Sequence, residues 1–450
     1  TTVFPGDFSD QKSSLHANIN HTSSNNRFRA LFAAQYVEDN SHLPNSDLTG
    51  NVFLAPDAPA LYDANGNINW QNGTWTNPLQ NTLQKAMATS DNLIGSLNLS
   101  YELLRGLQVK GTFGYTHMEM NQSIQIPASS YYGTPSPYNR LNELANSNVN
   151  TWLIEPQAEY NRVIANGKLD LLVGSTIQKN VSNSLAEYGI GFPDDALIPN
   201  IVAAPTTAVY GYSYTEYRYN ALFTRLNYNW QDKYILNVTA RRDGSSRFGP
   251  GRQFGNFGAI GGAWIFSKEQ FIQNALSFLS FGKLRGSYGV TGNDQISDYQ
   301  YLSTYSFYTN SSYQGATGVY PTQIGNPYFS WERVKKLEGG IELGWLKDRI
   351  LLSVNYYQNR SSNQLIGYSL PTIDGFSSIQ ANFPATVQNS GWEAELNTIN
   401  LRTKEFTWSS FFNISIPRNK LLAFQNLATS SYKNTLAIGK SLFTQSLYHY

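Results

Sequence analysis

Cysteine is absent from the 450 residues, so neither a disulfide framework nor a thiolate metal site is available. Charge is scarce: Asp, Glu, Lys and Arg make up 14% of the chain, against about 25% in an average soluble protein. The net charge is +1, which leaves no surplus for holding nucleic acid or an acidic surface. No apolar run approaches the roughly 18 residues of a transmembrane helix, and the mean hydropathy is −0.38. That excludes helical membrane proteins only, because a barrel strand shows lipid every second side chain and keeps a low mean. The five histidines (His16, His21, His42, His117 and His449) are scattered. They stand at no metal-ligand spacing and in no triad order with Ser or Asp. No secretory leader precedes Thr1, so a mature piece or a fragment of a longer exported protein is expected.

What replaces charge is Tyr, Asn, Ser and Gly, with 30 tyrosines and 14% aromatics. These residues are ordered with period two. Leu93, Gly95, Leu97, Leu99 and Tyr101 share one face, with Ser96, Asn98 and Ser100 on the other. After a short turn, Leu107, Val109, Gly111, Phe113 and Tyr115 alternate with Gln108, Lys110, Thr112 and Gly114. The same alternation recurs in about fourteen segments, including 28–36, 152–160, 169–177, 222–230, 234–240, 284–290, 337–345, 350–356 and 406–414. One face of these strands is nearly free of charge. The other carries Lys110, Glu155, Glu159, Asp170, Arg225, Lys283, Arg285, Glu338, Glu342, Glu393 and Glu395.

A soluble sandwich alternates too, with its polar face toward water. The connections separate the two architectures. Brief turns (22–26, 102–106, 161–167, 231–233 and 346–349) alternate strictly with long segments (37–92, 116–150, 179–218, 291–330 and 358–387). Structureless loops above about 15 residues are uncommon in compact soluble domains. Outer-membrane barrels have this asymmetry by rule, with short periplasmic turns and long extracellular loops. The aromatics agree: Tyr101, Tyr115, Tyr160, Tyr228, Trp230, Tyr234 and Trp345 stand where apolar faces end, the place of headgroup-level girdles. The expected fold is therefore all-β, a transmembrane antiparallel up-and-down β-barrel. Leu97, Leu99, Val109, Phe113, Leu236, Val238, Ile341 and Leu343 are expected on its lipid face.

Two local features stand apart. Ser267 followed by Gln270 reads as a capping box, which predicts a short helix within one periplasmic turn. Pro156 falls inside a strand and predicts a bulge or a rim position, because a closed barrel has no free edge for a missing N–H.

Other motifs reduce to bland readings. Gly439-Lys440-Ser441 lacks the Gly of a phosphate loop, since Asn434 occupies that place. Asp63-Ala64-Asn65-Gly66-Asn67 has its Gly out of register for a calcium loop and reads as a turn. Glu393 and Glu395 share a strand face at a spacing that glycosidases use, and Glu338 and Glu342 also share a face. Carboxylates on a wet wall serve solvation equally well, so no catalytic, cofactor or metal site is expected.

Several blocks resemble the SusC/RagA family of TonB-linked outer-membrane proteins of Bacteroidota. The first is Asn227-Tyr228-Asn229-Trp230-Gln231-Asp232-Lys233-Tyr234, leading into Arg241-Arg242-Asp243-Gly244-Ser245-Ser246-Arg247-Phe248-Gly249. Then come 257–264 with Phe266-Ser267-Lys268-Glu269, Lys283 to Asn293, Trp331-Glu332, Tyr356-Tyr357, Asn389 to Leu396 and Phe406-Thr407-Trp408. The resemblance is tightest over residues 215–445. It is looser before that, through Leu54-Ala55-Pro56 and the stretch from Leu61 to Trp70.

The resemblance implies a barrel of about 22 strands around a plug, so residues 1–450 are expected to be part of one barrel domain, without plug, TonB box or C-terminal strands. It implies an active importer of oligosaccharides or peptides, energised through TonB and working under a SusD-like surface lipoprotein. The competing expectations are a passive outer-membrane pore, a TonB-dependent siderophore receptor and a secreted carbohydrate-binding or glycosidase β-protein. Aromatics in the long segments are the candidate substrate or partner contacts: Trp70, Trp75, Tyr131, Tyr132, Tyr210, Tyr212, Tyr214, Tyr305 and Tyr308. Tyr supplies contact area at low entropic cost.

Overall fold

The computed structural model describes residues 8–133 and 136–445. Its strands are β1 (Ser9–Thr22), β2 (Phe28–Pro44), β3 (Lys85–Leu104), β4 (Leu107–Ile126), β5 (Leu141–Ile164), β6 (Gly167–Ile190), β7 (Thr206–Trp230) and β8 (Tyr234–Ser245). They continue with β9 (Phe254–Trp264), β10 (Leu279–Asn293), β11 (Thr304–Tyr313), β12 (Ala316–Gln323), β13 (Glu332–Trp345), β14 (Ile350–Ser369), β15 (Ser378–Arg402) and β16 (Thr407–Phe424). Fourteen of them form one sheet in sequence order, with β10 paired directly to β13, while β11 and β12 make a separate two-stranded hairpin. The order is that of an up-and-down barrel sheet.

By contact the chain divides into two compact units. One holds the described residues through Ser100 with Gly111–Ile154 and Gln178–Glu216; the other holds Tyr101–Lys110, Glu155–Ile177 and the residues from Tyr217 onward.

Within the second unit the alternation of the sequence becomes two chemically distinct faces. Val238, Ile260, Tyr288 and Leu337 lie side by side on β8, β9, β10 and β13. Ile260 is 53% exposed and Trp392 56%. A water-facing surface would not spread such side chains over so many strands, whereas a bilayer requires it. The residues expected on the lipid face are all half-buried or exposed.

Tight turns lace one end of this unit together. The Ala165-Asn166 and Gln231-Asp232 pairs take positive φ, the twist that two-residue hairpin loops need. The Trp230 indole donates to the Ala165 carbonyl at 3.1 Å, and the Tyr228 hydroxyl donates to Ile164 at 2.9 Å. Trp230, Tyr234 and Trp264 form a row with centroids 5.5 and 6.3 Å apart. Their polar tips thus face the turns while their rings line the apolar face, as an interfacial girdle requires.

Three expectations need correction. The long segments are shorter as loops than the alternation suggested: β5 and β6 each run 24 residues, β7 and β15 each 25. About 9–11 residues cross a bilayer, so these strands continue beyond it, where neither face must be apolar and the period-two signal fades. The segment after β10 even builds its own hairpin, β11–β12.

The helix in the β9–β10 turn exists (Gln270–Ala275), but Ser267 does not cap it. Glu269 is the N-cap residue, without a side-chain cap bond. Its carboxylate instead accepts from Lys233 at 3.0 Å and from the Trp264 indole at 3.3 Å. The Lys233 ammonium first, and the Tyr234 hydroxyl second, hold that carboxyl below the ordinary glutamate range. Of the two places expected for Pro156, a bulge or a rim, the rim is excluded: it lies eight residues before the end of β5, inside a continuous strand.

Candidate functional site

The polar face is a wall of paired charges and amides. Lys110 and Glu159 form an ion pair across β4 and β5. Glu155 accepts from Thr176 at 2.9 Å and from Gln157 at 2.6 Å. Asp170 meets Arg225 at 3.3 Å. Further along, Glu342 receives Lys283 at 3.1 Å and Arg285 at 3.2 Å, and Arg285 also donates to Asn355 at 2.6 Å.

Register explains the constellation: Lys283, Glu342, Ser353, Glu395 and Asn413 stand in one row across β10, β13, β14, β15 and β16. Half-exposed pairs of this kind contribute at most about 1 kcal/mol each. They set the chemistry of the wall more than its stability. Glu393 lines a recess of about 490 Å³ with Glu338, Arg285, Asn355 and Tyr357. Glu395 is held by Asn397 at 2.7 Å. Among the described residues no group of His, Asp and Glu has the arrangement of a metal site.

The loop aromatics separate into kinds. Trp70 and Tyr132 are neighbours, with centroids 6.4 Å apart, and Tyr132 lies over Gly73, whose φ is +83°. Trp75 is half-buried and Tyr131 exposed. Tyr210, Tyr212 and Tyr214 stand on β7 itself and are exposed, Tyr212 being 75% exposed. Tyr210 packs at 5.9 Å on Tyr188 and Tyr214 donates to Glu216 at 3.1 Å. Tyr305 is exposed on β11. The Tyr308 side chain lies outside the described residues, as does His449. Within the first unit Trp70 and Tyr132 form one ring pair, and Tyr210 belongs to another with Tyr188, across β6 and β7. Tyr212 and Tyr305 are open.

Sequence spacing missed the residues that lock the loops. In the first unit, Arg140 donates to Asp195 at 2.6 Å and to the Phe192 carbonyl at 3.2 Å. Asp195 also accepts from the Ala128 and Ser129 N–H groups at 3.0 and 3.2 Å. Burial resists ionisation of Asp195, but Arg140 and the two N–H donors outweigh it and hold the carboxyl below the usual range. Phe192 is fully buried beneath.

In the second unit Phe248, Phe257, Phe329 and Trp331 form a buried cluster, closed by the Trp331 indole donating to Gln253 at 3.0 Å. Arg247 pairs with Asp298 at 3.1 Å and stacks 4.3 Å over Tyr217. Asp63 closes its turn by accepting from Asn65 and Asn67 at 2.9 and 2.8 Å, and Gly439 and Lys440 bond back to Leu421. The first is a turn, as its motif reading expected, and the second closes against β16.

Comparison with known proteins places this arrangement. The family described as TonB dependent receptor-like, beta-barrel matches residues 14–442. The chain is 29% identical over 392 residues to the TonB-dependent receptor P26 of Formosa agariphila, covering 83% of this chain and 38% of that protein. It is 25% identical over 390 residues to the TonB-dependent receptor SusC of Bacteroides thetaiotaomicron, covering 81% and 37%. In the closed-closed structure of the RagAB peptide importer, one chain superposes with a TM-score of 0.80 at 21% identity, over 96% of this chain and 49% of that one. That likeness is one of fold. The chain thus spans well under half the length of these curated relatives.

Proposed function

Since the chain belongs to the TonB dependent receptor-like β-barrel family, an outer-membrane family of nutrient importers, we propose that it forms the wall of an active importer of oligosaccharides or peptides. One observation carries the reading: a single fourteen-stranded sheet has an apolar face that needs lipid and a polar face of paired charges and amides that needs water. Such a wall separates bilayer from aqueous conduit. Energy would come through TonB, and a SusD-like lipoprotein would cover the exposed aromatic surface. The family is one of receptors and transporters, and the carboxylates at hand serve ion pairing and solvation. The reading gives them no catalytic role.

The test is uptake by cells carrying the full-length protein, with labelled oligosaccharides and peptides, with and without the inner-membrane proton gradient. Uptake that stops when the gradient is dissipated supports the proposal. Uptake indifferent to the gradient would mean a passive pore, and uptake of iron chelates alone would mean a siderophore receptor. Uptake measured with and without a SusD-like lipoprotein in the same cells would separate a lid-dependent importer from an unaided one.

A further inference from the structure

Register sorts the outward side chains of β8 to β10 and β13 to β16 into rows. Leu284, Ile341, Val354, Ala394 and Ile414 make one row near the tight turns, and Tyr288 and Leu337 sit farther up. At the opposite end the chemistry changes abruptly: on β13 the next outward position after Leu337 is Lys335. The outward positions at this end include Arg242, Arg333, Lys335, Arg360, Arg418 and Lys420, all exposed. Among the described residues paired in these seven strands, no Asp or Glu faces outward. The inward face differs, since Lys283 and Arg285 share Glu342 there.

Charge of one sign is costly in this arrangement. Lys335 stands directly opposite Arg360, and the row continues through Gln388 to Lys420. Like charges facing each other across a ladder are destabilising. The contacts at hand are neutral: Arg360 donates to the Gln388 amide oxygen at 2.9 Å, and Arg242 lies 4.9 Å over the Phe254 ring. Height decides what can face these cations. A strand crosses the bilayer in about 9–11 residues. Lys335 and Arg360 are one such crossing from Trp345 and Ile350, which flank a tight turn. The Tyr356–Trp392 ring pair, centroids 5.0 Å apart, sits just below them as a girdle. Tight turns are periplasmic, so the cations stand at the headgroups of the outer leaflet.

We propose that this face binds an acyl lipid of the outer leaflet whose sugar headgroup carries phosphate monoesters. The inference concerns the lipid around the wall and is independent of what passes through it. Three observations select the occupant. A phosphate monoester carries about two negative charges, enough to neutralise Lys335 and Arg360 together, and both side chains make charge-assisted bonds to phosphate oxygens. Gln358, Ser362, Gln388 and Ser390 stand outward between the cations, where amides and hydroxyls meet the hydroxyls of a sugar. The patch from β13 to β16 also spans three strand spacings, roughly 14 Å, which gives room for more than one phosphate. An occupant of this place must reach up from the apolar band directly beneath, as an acyl lipid does and an acidic protein does not.

The experiment uses the full-length protein in detergent, titrated with bisphosphorylated lipid A and read by native mass spectrometry. Dephosphorylated lipid A, phosphatidylglycerol and inorganic phosphate are the comparison probes. The native protein should bind the bisphosphorylated lipid about tenfold or more tightly than the dephosphorylated one, and Lys335→Gln/Arg360→Gln should remove that difference. The exchange Lys335→Arg/Arg360→Lys should retain it, and so should Lys336→Gln, which is inward on the same strand. A normal heat-modifiable band from the double variant excludes misfolding; Arg418→Gln/Lys420→Gln on β16 reads the same difference if the first pair does not fold. Equal affinity for the two forms of lipid A overturns the proposal, as does a difference that survives in the double variants. Equal affinity for phosphatidylglycerol overturns it by reducing the face to a general anionic-lipid contact. Displacement of the lipid by equimolar inorganic phosphate would make this a soluble-phosphate site, and loss of lipoprotein capture with lipid affinity intact would make it a protein contact. Either result overturns it too.

Discussion

Arg140 and Asp195, 55 positions apart in the chain, meet at 2.6 Å and pin the segment before β5 to the segment after β6. The same carboxylate takes the Ala128 and Ser129 N–H groups, so one side chain gathers three donors. Arg140→Ala should release both segments, at a cost of about 1.5–3 kcal/mol for a charge-assisted hydrogen bond. Hydrogen exchange should quicken at residues 127–130 and 191–205 and stay unchanged in the tight turns. Unaltered protection at 191–205 would show that Phe192 alone suffices.

Acid should act on this lock late. The Asp195 carboxyl is held below its ordinary value, so its folded-state advantage is complete above the unfolded pKa of about 3.9 and is lost as pH falls through the lower folded value. Proteolytic nicking of residues 191–205 should be equal at pH 5 and pH 8 and should rise only below about pH 4. An Asp195→Asn variant should lose that pH dependence. Sensitivity between pH 5 and 7 would point to another group.

Charge placed on the lipid face should be costly. Leu99→Arg or Ile260→Arg should destabilise the folded barrel in vesicles by about 2–4 kcal/mol at mid-depth, whereas Thr112→Arg on the polar face should cost little. Urea titration of the full-length protein measures all three. Equal costs on the two faces would contradict the assignment of lipid and water.

Trp331 touches Phe248 at 5.0 Å and Phe257 at 5.4 Å between ring centroids and is 5% exposed. Trp331→Ala should therefore cost about 3–5 kcal/mol of local stability. Because the cluster holds the segment that follows the β11–β12 hairpin, residues 299–331 should exchange faster while the Trp230–Tyr234–Trp264 girdle keeps its protection. Uniform loosening of the whole chain would mean that the cluster supports the sheet as well.

The exposed tyrosines of β7 should matter to recognition more than to folding. Replacing Tyr210, Tyr212 and Tyr214 together by Ser in the full-length protein should leave the heat-modifiable band intact and weaken lipoprotein capture or uptake. Tyr210 packs on Tyr188, so a small stability loss from that residue alone is expected. Unchanged capture and uptake after replacing the aromatics of every long segment would retire the idea.

Sequence by itself determined the sheet and the solvent on each of its sides. A bilayer demands an apolar side chain at every second position, and a strand delivers that at a fixed period. Leu97, Leu99, Val109 and Phe113 therefore announce both strand and face. The tight turns were equally legible, because Gln231-Asp232 and Ala165-Asn166 must bend within two residues.

Tertiary structure alone decided what happens beyond the membrane. There water solvates either face, hydrophobic period disappears, and β5, β6 and β7 continue on backbone hydrogen bonds that any residue can make. The locks that organise those ends join residues far apart in the chain: Arg140 with Asp195, Arg247 with Asp298, Ser330 with Asn382. Long-range pairs of polar residues leave no periodic trace. The same holds for the outward cations: Lys335 and Arg360 were visible as charges, but that they stand opposite each other follows only from the register of β13 with β14.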